Sequence, residues 1–384
     1  MLEGPRAAKL DELPKIIHLV NSIFMPGLGL PPIIRKLFPH LFSESNLKNL
    51  RVIVHDGNPI SHVGIWEGTI LIYGCLFKIG MIGSVCTHPD YRGRGYASAL
   101  VKDAFSKMKR DHVDFVLVSG FRSLYKRAGY VEAGRVYVYR IKRGDLHLNM
   151  NRNHISIAPY KMGHAKDLVE VYQREPVRYR RSLEEFRLLA DRGFKCNNVK
   201  LKSYIAKIGG RPIAYIATEF LRNENEPSII EYAGPRDIVL CLIENLFKDL
   251  NAETIKLTVP HHDLSMLYLL EEEKLEKSPS KALASMAIIN PYSFFEKIQP
   301  YLEERVGKKE AHKFIFDLKH DKIKLYLNEE EVDFQDSRAL TLLFFGAPEK
   351  LIVPPQPKVK IEPYPESLLN VLPLPTPIYG LNYI

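Results

Sequence analysis

Residues 81–101, MIGSVCTHPDYRGRGYASALV, constrain this chain more than any other stretch of it. Met81 to Val85 are apolar and β-compatible, as a buried strand requires. His88-Pro89-Asp90 ends that strand, because proline has no N–H to give a central ladder. Arg92-Gly93-Arg94-Gly95-Tyr96-Ala97 then opens an amphipathic helix from Ala97 to Lys109, with Leu100, Val101, Ala104, Phe105 and Met108 on one face. Glycines allow positive φ and close backbone approach. The N–H groups of a first helical turn, with the positive end of the helix dipole, make a seat for an anion. Arg92 and Arg94 would add charge at its rim. The spacing fits neither G-x-x-x-x-G-K-[ST] nor G-x-G-x-x-G, which excludes two familiar nucleotide loops. The competing reading is a glycine-rich turn with no ligand.

The charge distribution bears on that choice. Residues 1–150 hold 21 Lys and Arg against 12 Asp and Glu, so the whole net charge of +9 lies there and residues 151–384 are neutral. A local basic field suits nucleic acid, an anionic membrane or a multi-phosphate ligand, and it can also be a plain solubility surface. A phosphate-shaped turn inside the same segment favours the small ligand, and no nucleic-acid or membrane partner is expected. The 384 residues are enough for two or three domains of ~150 residues. No run approaches the ~18 apolar residues of a membrane span, and the charged start, MLEGPRAAKLDELPK, lacks the apolar core of a signal peptide. Cys75, Cys86, Cys196 and Cys241 are scattered without metal spacing, so a reducing cytoplasm is expected, with no disulfide framework and no metal.

Around the turn, Arg51 to His55 and Ile60 to Glu67 flank the hairpin signal Asp56-Gly57-Asn58-Pro59. Thr69 to Ile79, Phe115 to Ser119 and Val136 to Ile141 read as further strands, and Leu10 to Phe24 as a helix. With V-x-T-H-P-x-Y at the strand end and R-x-x-G-x-A after it, the segment resembles the acetyl-CoA loop of the GNAT N-acetyltransferases. The resemblance implies an α/β fold of mixed sheets with helices on both faces. It implies acetyl-CoA as co-substrate, held by Val85, Cys86 and Thr87 along the strand and by Arg92, Gly93, Arg94, Gly95, Tyr96 and Ala97 in the turn. It also implies that Tyr125, in Leu-Tyr-Lys-Arg-Ala-Gly-Tyr, protonates the leaving thiolate; a packed helix tyrosine is the alternative. Cys86 itself reads as a small buried residue rather than a nucleophile.

The remainder echoes this order. A strand from His154 to Ala158, a helix from Ala165 to Gln173, a helix from Leu183 to Ala190 that Ser182 can cap, a hairpin at Gly209-Gly210, a strand from Ile229 to Tyr232, a helix from Val239 to Leu250 and a strand from Thr254 to Val259 follow. The turn Ala233-Gly234-Pro235-Arg236-Asp237 has one glycine and a carboxylate at the helix start, so it should not hold a phosphate. His261-His262-Asp263 reads as a turn rather than a metal site. Glu271-Glu272-Glu273 and Glu329-Glu330-Glu331 read as solvated charge runs. Arg178-Tyr179-Arg180-Arg181 is weak support for RNA binding. A helix from Pro291 to about Arg305, alternating strands at Lys313 to Leu318 and Lys322 to Leu327, and an apolar helix from Ser337 to Phe345 come next, before a tail with eight prolines between Pro354 and Pro377 that should pack rather than dangle.

This order resembles the enhanced intracellular survival family. That implies tandem GNAT folds followed by a sterol-carrier-protein-like α/β domain: a catalytic unit over residues 1–148, a degenerate repeat over 149–286 and the carrier-like unit with its tail over 287–384. It implies an N-acetyltransferase acting on a primary amine of a small molecule, polyamine or aminoglycoside-like, in a homo-oligomer, a hexamer by analogy. In the family a C-terminal carboxylate enters the first unit's site, which here is that of Ile384, although the ending Asn382-Tyr383-Ile384 departs from the family's pattern. The alternative function is a non-catalytic acyl-CoA sensor or hydrophobic-ligand carrier.

Overall fold

The structure, a computed structural model, describes residues 1–148, 154–195, 199–221, 226–312, 316–317, 323–327, 330–334, 337–346 and 371–384. The chain begins with β1 (Leu2–Ala7), α1 (Leu13–Phe24), α2 (Ile34–Leu37), β2 (Leu50–His55), β3 (Asn58–Ile72), β4 (Cys75–Thr87), α3 (Tyr96–Arg110), β5 (Phe115–Val118), α4 (Ser123–Arg127) and β6 (Val131–Lys142). It continues with β7 (Ile155–Pro159), α5 (Lys166–Tyr172), β8 (Val177–Arg180), α6 (Leu183–Ala190), α7 (Arg192–Lys195), β9 (Val199–Ile208), β10 (Arg211–Leu221), β11 (Ser228–Ala233), α8 (Arg236–Leu250), β12 (Thr254–Pro260), α9 (Leu264–Glu272) and β13 (Lys277–Ile288). The last part holds α10 (Pro291–Val306), α11 (Lys308–Ala311), β14 (Phe316–Asp317), β15 (Ile323–Leu327), β16 (Glu330–Phe334) and α12 (Ser337–Phe345).

Thirteen strands form one sheet in the order β1-β2-β3-β4-β5-β13-β6-β12-β11-β10-β9-β7, with β8 added to β3. The order is a palindrome of topology. β4 runs parallel to β5 as β11 runs parallel to β12, and antiparallel β13 and β6 lie between the two halves. Each half's last strand has crossed into the other, since β13 sits beside β5 and β6 beside β12. The hydrophobic core therefore does not divide at residue 148, although the element order repeats there.

The tight turns follow from residue type. Asp56-Gly57 and Gly209-Gly210 all take positive φ, the mirror-image turn that matches the twist of a two-stranded ribbon. Among the strands, β1, β8, β13 and β16 are additions to the sequence reading. In β8, Val177 and Tyr179 face the core while arginines alternate with them, which hides the strand in a basic run. Tyr179 and Arg181 are buried, so this stretch is no surface patch for RNA. α12 ends at Gly346 as expected, and Phe344 and Phe345 join Phe294 of α10 and Phe115 of β5 in one aromatic cluster. Asp114, fully buried, accepts from Lys297 Nζ at 2.6 Å and ties α10 to the edge of β5. The tail from residue 371 packs, with Leu372, Leu374, Leu381 and Ile384 buried; residues 354–370 lie outside the described part.

Candidate active site

The site arises from one irregularity in β4. Its parallel pairing with β5 stops at Ile82↔Val118, where β5 ends, while β4 continues to Thr87. From Gly83 onward, among the described residues, one backbone edge of β4 has no strand paired to it. On the other edge, His62 opposes Cys86 but Gly64 opposes Gly83, so β4 carries one extra residue. Ser84, at φ 53, supplies the bulge. The extra residue shifts the side-chain alternation. Ile82 and Val85, three apart, share the core under α3, whereas Met81 and Cys86 face the opposite core. His62, fully buried, holds the bulge by donating from Nδ1 to the Ser84 carbonyl at 3.0 Å. Burial pushes its pKa down to about 4, so the ring is neutral and Nδ1 carries the proton.

A cavity of about 310 Å³ opens beside this stretch of β4. Gly83, Ser84 and Val85 of β4 line it together with Gly120, Arg122, Tyr125, Tyr383 and Ile384. Phe24, Met25, Leu28, Ile34, Leu37 and Phe38, from α1 to just past α2, complete the lining. The Tyr125 side chain is 5% exposed, and burial raises its pKa while nearby Arg122 opposes the rise, so the phenol keeps its proton at neutral pH. Its ring rests on Gly120, where an added Cβ would stand 3.1 Å away. The Gly120 carbonyl in turn accepts from Ser285 Oγ of β13 at 2.6 Å. A Cβ on Gly83 would stand 2.8 Å from the carboxyl carbon of Ile384 and 2.9 Å from its oxygen. That close approach is what glycine at 83 permits.

The turn beyond β4 has the form expected of an anion seat. Gly93 and Gly95 take φ 78 and 80, and a Cβ on either would meet nothing within 4 Å. Gly95 is the N-cap of α3 and no side chain caps the first turn. Arg92 Nε donates to the Thr87 carbonyl at 3.3 Å and Arg94 donates to that of Asp90 at 3.3 Å, which bends both exposed guanidinium groups back along the turn. Beside α3 lies a cleft of about 680 Å³ lined by Ser98, Lys102, Lys126, Arg127 and Arg338, cationic and, among the described residues, without a carboxylate. The residues fit a pyrophosphate-bearing ligand: open glycines, uncapped N–H groups and flanking cations. The corresponding turn of the second half does not. There the Gly234 N–H donates to Glu175 Oε1 at 2.7 Å, and Arg236 is paired to Glu175 and Asp263, both at 2.8 Å. An internal carboxylate already occupies the anion position.

The tail is seated by a buried ion pair. Arg181 and Glu231 form a two-point pair at 2.8 and 2.6 Å, their side chains 1% and 3% exposed. Arg181 is stacked 4.5 Å from the Tyr172 ring centroid and 4.7 Å from that of Phe186. Glu231 accepts from Tyr215 Oη and from the Leu381 N–H at 3.1 Å, and Arg181 Nε donates to Asn382 Oδ1 at 2.6 Å. Gly380, at φ 56, lies against the Glu231 carboxylate with no room for a Cβ. Residues 380–382 are thus clamped by the second half, two residues before Ile384 enters the cavity of the first.

Of the residues expected from sequence, Val85, Tyr125 and Ile384 meet at the cavity and Arg92 to Ala97 form the turn. Thr87 has its hydroxyl 2.8 Å from Ser61 Oγ, and Cys86 points into the opposite core, its thiol pushed up to about 12 by burial. His261 and His262 form a turn as expected, and Asp263 caps α9 by accepting from Met266 N–H. Phe24, Met25 and Leu28 line the cavity, but no described residue of 149–286 does. Sequence reasoning missed Ser84, His62, Gly83 and the Arg181–Glu231 clamp. None has a local signature, though Gly83 in an apolar strand is the kind of glycine that marks a bulge or a close approach.

Residues 5–133 match the family model of an acetyltransferase (GNAT) domain. N-alpha-acetyltransferase 30 of Saccharomyces cerevisiae is 33% identical over 72 residues, which is 17% of this chain and 41% of that protein's length. The fold is similar to that of a GCN5-related N-acetyltransferase from Anabaena variabilis (TM-score 0.62, 16% identity, 90% of each chain). It is also similar to a probable N-acyltransferase from Enterococcus faecalis (0.61, 16%, covering 77% of this chain and 74% of that one) and to Eis1 from Mycobacterium abscessus (0.57, 14%, 77% and 76%). Residues 5–133 thus match a GNAT acetyltransferase domain, and the chain as a whole has the mixed α/β fold of GCN5-related N-acetyltransferases.

Proposed function

We propose that this chain is an acetyl-CoA-dependent N-acetyltransferase that acetylates a primary amine of a small molecule. The observation that carries the reading is the convergence of Tyr125, the open backbone edge at Gly83–Val85 and the Ile384 carboxylate on one cavity, at the end of the strand that leads into the Gly93–Gly95 turn. Acetyl-CoA supplies an activated thioester, and the turn Arg92–Ala97 receives its pyrophosphate, with the Lys102–Arg338 cleft beside it for the nucleotide end. N–H groups of the open β4 edge polarise the thioester carbonyl; donors of this kind contribute on the order of 10²–10³ in rate. Tyr125, kept protonated by burial, gives its proton to the departing thiolate, a step worth on the order of 10²–10⁴. The Ile384 carboxylate receives a proton from the attacking amine, which must be neutral to react.

The proposal extends to the rest of the chain. Residues 149–286 form a repeat that has lost its phosphate turn, and residues 287–384 form a sterol-carrier-like unit whose tail completes the first site. The protein works in the cytoplasm as a homo-oligomer, a hexamer by analogy with the family it resembles; Cys75 and Cys86 are free and buried. Tyr125→Phe tests the chemistry. Thiol release with amine present should fall at least tenfold while coenzyme A affinity is unchanged; equal rates in both forms would remove Tyr125 from the mechanism. No turnover in either form, with affinity intact, would favour the sensor.

A further inference from the structure

The lining of the cavity restricts what can be acetylated. Six apolar side chains, from Phe24 to Phe38, line it, and Tyr383 adds an aromatic one. Among the described residues that line it, Arg122 is the one charged side chain, and no Asp or Glu is present. The negative charge available is a single carboxylate, that of Ile384. Polyamines and aminoglycosides carry several ammonium groups at neutral pH. Placed here, one of them could lose its proton to the carboxylate, and the others would be left unpaired against hydrocarbon and Arg122. Burying an unpaired ammonium is strongly unfavourable. The volume of about 310 Å³ lies at the small end of the ~300–1,000 Å³ usual for small-molecule sites.

We infer that the acceptor is a monoamine: one primary amine on an aliphatic or aromatic body of about phenylalkyl size, with no second positive charge. The inference rests on the acetyltransferase reading above. The apolar wall takes the body, which orients the nitrogen toward Gly83–Val85. The Ile384 carboxylate takes up the ammonium proton and the neutral nitrogen attacks the thioester carbon. The carbon–sulfur bond breaks as Tyr125 gives its proton to sulfur, the phenolate takes the second proton from nitrogen as the amide forms, and the Ile384 carboxyl group releases its proton to solvent. Charge and atoms balance without a further reactant.

The test is kcat/KM for thiol release from acetyl-CoA with hexylamine, phenethylamine, spermidine and kanamycin, alongside calorimetric titration of acetyl-CoA itself. The inference expects hexylamine or phenethylamine to exceed spermidine and kanamycin by at least tenfold. A spermidine or kanamycin rate equal to or above the monoamines, with acetyl-CoA binding intact, overturns the inference and leaves the acetyltransferase reading standing. Absence of acetyl-CoA binding overturns both. Octanoyl-CoA outrunning acetyl-CoA with the same monoamine would give the apolar wall to the acyl chain and also overturn the inference. Leu28→Glu supplies a second arm, because Leu28 is 46% exposed at the mouth and tolerates a polar side chain. It should raise the spermidine-to-phenethylamine ratio at least tenfold; an unchanged ratio counts against the assignment.

Discussion

In the proposed mechanism, two residues that supply no reacting group decide whether Tyr125, the β4 edge and the Ile384 carboxylate can meet. Gly83 is one, because the terminal carboxyl group lies where its Cβ would be, at 2.8 Å. Gly83→Ala should push Ile384 out of the cavity. A displacement of ~1 Å at a reacting group can cost on the order of 10²-fold in rate. We therefore expect kcat to fall 10–100-fold with little change in melting temperature or coenzyme A affinity; an unaltered kcat would show that the carboxylate takes no part. His62 is the other. Its Nδ1–H holds the Ser84 carbonyl, and so the bulge that aims the β4 edge. His62→Phe keeps the volume but loses the donor, and kcat should fall with KM for acetyl-CoA nearly constant. Both effects separate from stability when chemical denaturation is followed in parallel.

At the scale of elements, the Arg181–Glu231 pair links β8 and β11 to the tail. Removing one partner strands a buried charge, at a cost of about 3–5 kcal/mol. Glu231→Gln should thus lower stability by roughly that amount in urea titrations. Replacing both, as Arg181→Met with Glu231→Leu, removes the stranded charge, and most of the stability should return. The double variant should remain slow, since Leu381 and Asn382 have lost their partners. Recovery of full rate along with stability would reduce the pair to packing alone.

Elements also show how far the sequence could be read. The hairpins at Asp56-Gly57 and Gly209-Gly210, the glycine turn at Arg92–Ala97 and the Ser182 cap are local grammar. Each is where its residues place it, and Ser182 with Glu185 forms a reciprocal capping box. β8 was hidden because two arginines, Arg178 and Arg180, dilute its alternation. β13 was hidden because Lys-Ser-Pro-Ser-Lys-Ala has little apolar content until Ala282, its pairing to β5 and β6 being set by the tertiary fold. Within the site, Tyr125 and the turn were legible, whereas the Ser84 bulge and the clamp depend on partners 22 and 50 residues apart.

Over the whole molecule, several imidazoles are buried in neutral form. Burial pushes His40 to about 3, His62 to about 4 and His262 to about 3, and lowers His261 as well. Their pKa values in the unfolded chain are near 6.5. Between these limits the unfolded chain binds protons that the folded chain refuses, so stability falls as pH drops from about 6.5 toward 4. Each imidazole contributes a slope of up to ~1.4 kcal/mol per pH unit inside its window. Glu231, held below the usual carboxylate range by Arg181 against its own desolvation, adds a loss of the same sign at lower pH. Denaturant midpoints measured at pH 7.5, 6 and 5 should decline steadily, and a flat series would contradict the buried neutral state.

The reaction assignment stands or falls on whether an anion-bearing thioester docks at the β4–α3 turn. Calorimetric titration of coenzyme A into the wild-type protein and into Gly95→Val addresses this directly, since valine resists the positive φ of that position and projects into the open seat. The expected result is saturable binding of one coenzyme A per chain to the wild type and at least a tenfold weaker association with the variant, both folded by thermal melt. Equal affinity in the two proteins, or no heat of binding in the wild type, would contradict it.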